Sequence, residues 1–246
     1  MAKSHCLIIL SAAPQGVEAS SFIQSFKVLH PVFNIQLASP NGSIPDFKSS
    51  DEHTQRWIAD FKGKPYSSPV RLESVDETGK IETNFCNCFT CVIVSSFAFS
   101  LKICCSFHPR GFGALFDLVH SLQMQSIINH FTRVKKPICA IGCGVAGLCG
   151  LSLTKSIPWS FDGFSLTSTS IAELAKKPMF GTIPLLVEDF VKQNGGIYSA
   201  SEPGEPHVII DRFLITGQNE ASTVTAVQNL ILLCNLRQTR HSSSSH

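Results

Sequence analysis

The sequence predicts an α/β fold in which a mostly parallel sheet carries helices on both faces. Short apolar segments alternate along the chain with amphipathic ones, which is the pattern of a sheet covered on both sides. The length of 246 residues and the hydrophobic content of 43% suffice for a sizeable buried core. We therefore expect one domain over residues 1–237, followed by a polar, Ser-rich and disordered tail over residues 238–246.

The first strand, helix and second strand are predicted at the N-terminus. Residues 6–10 form an apolar strand, and the helix that follows is expected to be capped near Ser20 or Ser21. The apolar face of this helix consists of Phe22, Phe26 and Leu29. A second strand over residues 33–38 ends at a Ser-Pro-Asn-Gly turn, because proline cannot extend a strand ladder.

The later elements continue the alternation. A helix over residues 52–61, anchored by Trp57, leads into a polar connection that reaches about residue 80. Further helices are expected at 121–133, 145–151, 171–176, 184–193 and 222–233, and further strands at 138–141, 207–210 and 213–216. A turn at Asp211 and Arg212 joins the last two strands.

The charge balance argues against strongly electrostatic partners. Twenty Lys and Arg residues against eighteen Asp and Glu give a net charge of +2, which creates too weak an electrostatic field for direct binding of nucleic acid or an anionic membrane.

Neither a signal peptide nor a disulfide framework is indicated by the sequence. The apolar run at residues 6–10 is too short for a signal peptide, and the ten cysteines have no regular spacing. We expect a cytoplasmic protein with reduced thiols, no signal peptide and no transmembrane span.

Residues 81–108 form a cysteine-rich apolar window that interrupts the alternation. No charged residue occurs between residues 85 and 101, and half of the ten cysteines lie in the window. The interpretation we favour is one core strand, at either 91–95 or 103–107, together with an atypical insertion carried on the surface or a splice irregularity. Such an exposed apolar insertion would be an interface or an aggregation liability.

Two alternatives exist for this window. A membrane span would fit the uncharged length, but it would separate strands that must pair, and Lys102 interrupts the apolar run. A zinc site at Cys88, Cys91, Cys104 and His108 would fit the spacing of a zinc finger in which one cysteine replaces a histidine. The apolar segment between these residues lacks the polar helix that a finger needs.

Residues 137–148 are the most informative stretch of the chain. They predict a strand, a sharp Gly-rich turn and a helix, a geometry that can project a nucleophile at the carboxyl edge of a sheet. Cys143 would lie at the helix N-terminus, where the helix dipole favours a thiolate. It is therefore the candidate nucleophile on local chemistry, with Glu18 and His207 as the candidate partners that could accept its proton.

Each of these residues also has a structural interpretation. Cysteine is a small apolar residue that is often fully buried, and glycines are common at strand-to-helix turns. Glu18 also fits a solvated helix position, and His207 fits the start of a strand with its ring half-exposed. Residue types alone leave both interpretations open.

Four motifs point to one family. They are residues 38–42, 111–118, the turn within 137–148 and, most specifically, residues 214–222. Together they resemble the ThiJ/PfpI branch of class I glutamine amidotransferase-like proteins, over nearly the whole chain except residues 81–108. The resemblance implies a flavodoxin-like, doubly wound sandwich. In active relatives it also implies a cysteine in an Ala-Ile-Cys-His-Gly turn, assisted by a carboxylate from the first βα loop.

This chain departs from the catalytic pattern that the resemblance implies. The position of the family's nucleophile falls on Gly142, and Cys143 takes the place of the adjacent histidine. The histidine of the Gly-rich turn becomes Phe112, and the acidic position of the first loop falls near Val17, one residue before Glu18. Successive helical residues point about 100° apart, so the thiol of Cys143 would point away from the direction of the family's thiol. We therefore expect a silent scaffold with no catalytic residue, no cofactor and no metal.

The resemblance also implies partners. Relatives of this particular type are similar to a subunit of the endosomal FERRY complex, a five-membered small-GTPase effector that links early endosomes to messenger RNA and ribosomes. We expect protein subunits of such a complex as partners, with RNA contact and early-endosome localisation supplied through them; formation of a homo-oligomer is left open. The alternatives are a hydrolase or glyoxalase-like thiol enzyme acting on small carbonyl or amide compounds, and a redox sensor that uses the clustered cysteines.

Overall fold

The computed structural model describes residues 3–76, 103–150 and 159–243. The strands in these ranges are β1 (His5–Ile9), β2 (Val17–Glu18), β3 (Asn34–Ser39), β4 (Phe47–Lys48), β5 (Val70–Arg71), β6 (Ile103–His108), β7 (Ile138–Ile141), β8 (Ser165–Leu166), β9 (Ile197–Tyr198), β10 (Val208–Asp211) and β11 (Leu214–Gly217). The helices are α1 (Ala19–Leu29), α2 (Glu52–Lys62), α3 (Leu122–Arg133), α4 (Ala146–Cys149), α5 (Ile171–Leu174), α6 (Val187–Gln193) and α7 (Thr223–Ser243).

Seven of the described strands form one sheet, in the order β10-β11-β7-β6-β1-β3-β5. Neighbouring strands are parallel except for β10 and β11, which pair antiparallel at the edge. After β1, the chain adds β3 and β5 on one side of this strand. It then crosses to the other side of β1, where β6 pairs with it. This confirms the predicted doubly wound, mostly parallel sheet, and it places the reversal of strand order between β1 and β6.

The sheet separates two apolar layers. Alternate residues of a strand point to opposite faces, so Leu7 and Ile9 pack into one layer while Cys6 and Ile8 pack into the other. Both layers are almost free of solvent contact, as expected for a parallel sheet with helices on both sides. Each strand at the centre of the sheet is therefore held by apolar packing on both of its faces.

Helix α1 begins earlier than predicted. Its N-cap is Glu18, whose side chain makes no capping hydrogen bond, so the predicted cap near Ser20 or Ser21 is wrong. Ser21 is buried, and its hydroxyl pairs with the hydroxyl of Thr223 at 3.2 Å, which joins α1 to α7. The predicted apolar face is confirmed, because Phe22, Phe26 and Leu29 are all buried.

The region after β3 contains one predicted helix and one strand that the sequence did not predict. Helix α2 is confirmed, but Ile58 and Phe61 are its buried apolar residues, while Trp57 is only partly buried and stacks on Phe61 at 5.3 Å between ring centroids. Strand β5, at Val70–Arg71, lies inside the segment predicted to be a polar connection. A two-residue strand carries no periodicity that a sequence pattern could reveal.

The cysteine-rich window ends in a central strand. β6 lies between β1 and β7 and is almost completely buried, which confirms the alternative that placed a core strand at 103–107. The segment predicted as an insertion is therefore shorter than 81–108 at its C-terminal end. Residues 81–102, including the alternative strand at 91–95, lie outside the described residues, so the insertion itself stays a prediction.

Strand β6 is incompatible with the zinc-finger interpretation. Cys104 and His108 are four residues apart on an extended strand, a separation of about 13 Å with side chains standing roughly perpendicular to the sheet. Two ligand atoms of one zinc ion lie at most about 4.6 Å apart, because each zinc–sulfur bond measures only about 2.3 Å. The other two proposed ligands, Cys88 and Cys91, lie outside the described residues.

The C-terminal helix is longer than predicted. α7 continues to Ser243, so residues 238–243 are helical and the prediction of a disordered tail from residue 238 is wrong over this part. Once a helix is nucleated, each further residue adds a backbone hydrogen bond. The Arg237 guanidinium also ties the helix to the body of the protein, donating to the carbonyls of Val134, at 2.8 Å, and Lys135. Within the described ranges, no helix combines the length and the apolar character needed to cross a membrane.

Candidate functional site

Three loops meet at the carboxyl edge of the sheet, beside the point where the strand order reverses. The loop after β1 leads to Glu18, the loop after β6 contains Arg110, and the loop after β7 begins at Gly142. In open α/β sheets, ligands bind in the crevice at this edge. The topology therefore brings together residues that are far apart in sequence.

The turn after β7 has the geometry of a nucleophile elbow with no side chain at its apex. Strand β7 passes directly into Gly142, whose φ of 55° lies in the left-handed region, and α4 begins at Ala146. Glycine adopts this conformation readily, whereas other residues are strained there. The predicted strand, turn and helix are confirmed.

Arg110 and Thr169 fill the space that a side chain on Gly142 would need. A Cβ atom at this position would lie 2.8 Å from Cγ of Arg110 and 2.8 Å from Oγ1 of Thr169. These distances are well inside van der Waals contact, which for carbon atoms begins at about 3.5 Å. Any larger residue at the elbow would require the Arg110 side chain to move.

Cys143 lies one residue beyond the apex and is buried. Only 3% of it is exposed, and its thiol donates a hydrogen bond to Oγ1 of Thr169 at 3.5 Å. Burial raises the pKa of the Cys143 thiol to about 11, with the hydrogen bond between Cys143 and Thr169 and the charge of Arg110 opposing that rise. The thiol is therefore protonated at neutral pH, in contrast to the thiolate that the helix N-terminus alone would favour.

Glu18 lines the same cavity as Cys143 but is paired with Arg110. Its carboxylate forms an ion pair with the guanidinium, and its backbone N–H donates to the Arg110 carbonyl at 2.9 Å. Burial raises the pKa of the Glu18 carboxyl, and the Arg110 charge opposes this. Glu18 immediately precedes α1 and is not a solvated residue on the surface of that helix. Val17 is buried, so Glu18 is the acidic residue of the first loop that reaches the cavity.

His207 is not brought to Cys143. Both of its ring nitrogens are engaged by serines, Nε2 with the Ser199 hydroxyl at 2.9 Å and Nδ1 with the Ser201 hydroxyl at 2.8 Å. Its ring is absent from the walls of the cavity that Cys143 lines. His207 immediately precedes β10, so it supports the loop before this strand, and the structure gives no support to its predicted role as proton acceptor.

The cavity has a volume of about 560 Å³ and mixed charge. Its walls include Glu18, Arg110, Phe112, Cys143, Lys177 and Glu220. Three of these residues could not be identified from the sequence, because none of them belongs to a motif with a recognisable spacing: Arg110, Lys177 and Glu220. Phe112 supplies an apolar wall where the resemblance implies a histidine.

Asp117 holds the first loop in place beside this cavity. Its carboxylate accepts hydrogen bonds from the Ser11 hydroxyl at 2.9 Å, from the Ala12 N–H at 2.7 Å and from the Ala13 N–H at 3.0 Å. Burial raises the pKa of the Asp117 carboxyl, and these hydrogen bonds oppose the rise. Asp117 lies within the 111–118 motif, which could have marked it as a structural residue.

The cavity contains no cluster of metal-ligating side chains among the residues described. In those ranges, the group of His, Cys, Asp or Glu side chains close enough to share one ion consists of Cys104, Cys105 and Cys234. None of the three lines the cavity. The arrangement at the elbow is thus an ion pair beside a buried neutral thiol.

Solved structures share this fold. The Rapid Encystment Protein 24 KDa of Francisella tularensis has a TM-score of 0.74 at 16% identity, covering 94% of this chain and 99% of that one. A glyoxalase III from Candida albicans has a TM-score of 0.71 at 18% identity, covering 93% of this chain and 96% of that one. The doubly wound sheet with its elbow after β7 therefore places the chain in the fold class of these proteins.

Sequence comparison narrows this class to one family. The Xenopus laevis glutamine amidotransferase-like class 1 domain-containing protein 1 is 44% identical over 238 residues, 97% of this chain and 93% of that protein. Its Homo sapiens counterpart is 42% identical over 233 residues, 95% of each chain. The chain belongs to the glutamine amidotransferase-like class 1 domain-containing protein 1 family. No protein-family model matches it.

Proposed function

We propose that this chain is a catalytically silent scaffold that serves as a protein subunit of the endosomal FERRY complex. The observation that carries the first part is the Arg110 side chain packed over Gly142. It takes the space in which a family nucleophile would act, and it neutralises the Glu18 carboxylate that would assist such a nucleophile. A nucleophile needs a free base beside it, and Glu18 is already engaged.

Cys143 does not replace the missing nucleophile. Its thiol is buried, is hydrogen-bonded to Thr169 and has a pKa raised to about 11 by burial. Reactive cysteines lie in electropositive and partly exposed surroundings that lower the thiol pKa. Cys143 has the opposite environment, which is that of a structural cysteine.

The scaffold role rests on the surface charge and on the family. A net charge of +2 gives no field that would concentrate RNA at this chain. In the proposed assembly the domain contacts protein subunits, while RNA contact belongs to those subunits. Function resides in sites carried by a fold rather than in the fold itself, so the assembly role depends on a surface and not on the elbow.

A thiol enzyme acting on small carbonyl or amide compounds is the second candidate. It is favoured by one observation, namely that Cys143 and Glu18 line the same cavity of about 560 Å³. One protein that shares the fold is a glyoxalase III. In this alternative a movement of Arg110 would release Glu18 to accept the thiol proton.

Iodoacetamide is expected to modify Cys143 at pH 8 at least about 100-fold more slowly than an ordinary thiol. The pKa of about 11 in place of 9.0 leaves roughly one hundredth of the thiolate, and burial slows the reaction further. Tandem mass spectrometry of the peptide that contains Cys143 gives the rate at this residue, and the same chain unfolded in urea gives the reference rate.

Substrate turnover completes this test. Dicarbonyl, ester and amide compounds are incubated with the native chain and with Cys143→Ser, and neither is expected to show saturable turnover. Modification of native Cys143 at the unfolded rate, together with turnover that Cys143→Ser abolishes, would instead establish the thiol enzyme.

Affinity purification of the tagged full chain from cells tests the assembly role. The other FERRY subunits are expected to co-purify, and equally so with Cys143→Ser, because partner contact does not use the elbow. Quantitative mass spectrometry against an untagged control measures the enrichment. Absence of all these subunits from a purification of folded chain would contradict the assembly role while leaving the conclusion on catalysis unaffected.

A further inference from the structure

Three cysteine thiols converge where strand β6 packs against helix α7. The sulfur atoms of Cys104, Cys105 and Cys234 all lie within 4.8 Å of one another, and those of Cys104 and Cys105 are 3.6 Å apart. Cys105 is completely buried, Cys234 is nearly so, and Cys104 is partly exposed. This thiol cluster is not part of the elbow cavity.

A β-bulge explains how two successive residues face the same way. Adjacent residues of a regular strand point to opposite faces. Here His5 pairs with Ile103 and Cys6 pairs with Cys105, so Cys104 is an extra residue in β6. Bulges redirect a side chain and are frequent near functional sites. The irregularity is what completes the cluster.

We propose that Cys104, Cys105 and Cys234 form a binding site for one Cu(I) ion. Three sulfurs around one ion with metal–sulfur bonds of about 2.3 Å lie about 4.0 Å apart in a trigonal plane. The observed cluster is close to this spacing without any change of backbone. Thiolate ligands select soft ions such as Cu(I).

The number of sulfurs favours Cu(I) over zinc. Structural zinc sites are almost always four-coordinate, and the cluster offers three ligand atoms. A Cys104–Cys105 disulfide is disfavoured, because neighbouring Cα atoms are about 3.8 Å apart whereas disulfides usually span at least 4.4 Å.

The surroundings suit a thiolate-bound ion. Cys104 is partly exposed and gives an entry path, while Cys105 and Cys234 lie in the buried apolar layer and exclude water. Lys136 is near enough to act electrostatically on Cys104, so its positive charge offsets part of the negative charge of the complex. Binding forms three copper–sulfur bonds and releases one proton from each thiol, and copper stays monovalent throughout.

Anaerobic titration of the reduced full chain with Cu(I) tests this site. Bicinchoninate competes for the ion and reports its free concentration. We expect one ion per chain, three sulfur neighbours in the copper X-ray absorption spectrum, and an affinity that falls more than about 100-fold in Cys104→Ser and in Cys234→Ser. Cys104→Ala serves as a second variant, since its partly exposed position tolerates the change.

Two control variants separate this site from the other cysteines. Cys149→Ser alters a buried cysteine of the opposite layer, and a Cys86→Ser, Cys88→Ser, Cys91→Ser triple variant removes the three thiols of the window that lie outside the proposed site. Both are expected to bind one Cu(I) as tightly as the native chain. The site would be disproved by unchanged binding in folded Cys104→Ser and Cys234→Ser, by loss of binding in the triple variant, or by tight four-coordinate binding when Zn(II) replaces Cu(I).

Discussion

Replacing Arg110 by methionine is expected to lower the free energy of unfolding at pH 7 by about 2–4 kcal/mol. The Arg110 and Glu18 side chains are only 12% and 31% exposed, so Arg110→Met leaves a largely buried carboxylate without its counter-charge. Breaking a fully buried pair costs about 3–5 kcal/mol, and the remaining solvation of Glu18 reduces this figure. Methionine retains most of the volume packed over Gly142.

The loss should depend on pH in a defined direction. Burial already raises the pKa of Glu18 above its ordinary value of 4.5, with Arg110 opposing it, so Arg110→Met raises it further. A carboxyl whose folded pKa is raised supplies stability that is fully present below its unfolded pKa and is lost as pH rises through its folded pKa. The difference from the native chain is therefore smallest near pH 4 and grows towards pH 7.

A double-mutant cycle provides the control for this prediction. Urea unfolding of Arg110→Met, Glu18→Gln and the double variant is measured at several pH values between 4 and 7.5. The double variant is expected to regain most of the lost stability, because it leaves no buried charge unpaired. A pH-independent loss in Arg110→Met, or additive effects in the double variant, would show that Arg110 acts through packing alone.

The sequence predicts those parts of the site that depend on local patterns. The apolar run of β7 followed by Gly-Cys-Gly is sufficient to predict the elbow, and Glu18 follows β1 closely enough to be placed at the carboxyl edge. The pairing of Glu18 with Arg110 could not be predicted, because it depends on β6 lying beside β1 in the sheet. The sequence shows which segments are strands but not which of them are neighbours.

Contacts between distant segments also explain why parts of the fold prediction are wrong. The cap near Ser20 or Ser21 followed a correct residue preference, but Ser21 pairs with Thr223 from the other end of the chain. The serine content of the tail predicts disorder, whereas α7 continues into it and is held by contacts of Arg237 with the loop after α3. The bulge at Cys104 is a shift of one residue in pairing that no periodicity records.

Under the proposed scaffold role, the Gly142 elbow keeps the backbone geometry of a catalytic turn without a nucleophile at its apex. The left-handed turn at Gly142 joins β7 to α4 beneath the loop that contains Arg110, and it needs no side chain at the apex. Once glycine occupies the apex, the arginine can lie over it and pair with Glu18. We expect this ion pair to stabilise the fold, which gives the elbow a structural role in the proposed scaffold.

Replacing Asp117 by alanine is expected to lower the free energy of unfolding by about 2–4 kcal/mol. The carboxylate accepts hydrogen bonds from the Ser11 hydroxyl and from the N–H groups of Ala12 and Ala13, at 2.9, 2.7 and 3.0 Å, and a further one from the Leu118 N–H at 2.6 Å. A buried donor left without an acceptor costs about 1–3 kcal/mol. Ala13 keeps a second acceptor in the Ser11 hydroxyl, at 3.1 Å, which limits the total.

Asp117→Asn is the matched control, because it keeps the shape of the side chain and one carbonyl oxygen. Its amide nitrogen cannot accept a hydrogen bond, so either the loop donors or the Leu118 N–H lose their acceptor. A smaller loss of about 1–2 kcal/mol is expected. Urea unfolding measures both variants, and hydrogen exchange should show lost protection at Ala12 and Ala13, whereas unchanged exchange there in Asp117→Ala would contradict the anchoring role. Since the loop leads directly to Glu18, loosening it should also weaken the coupling of Glu18 with Arg110.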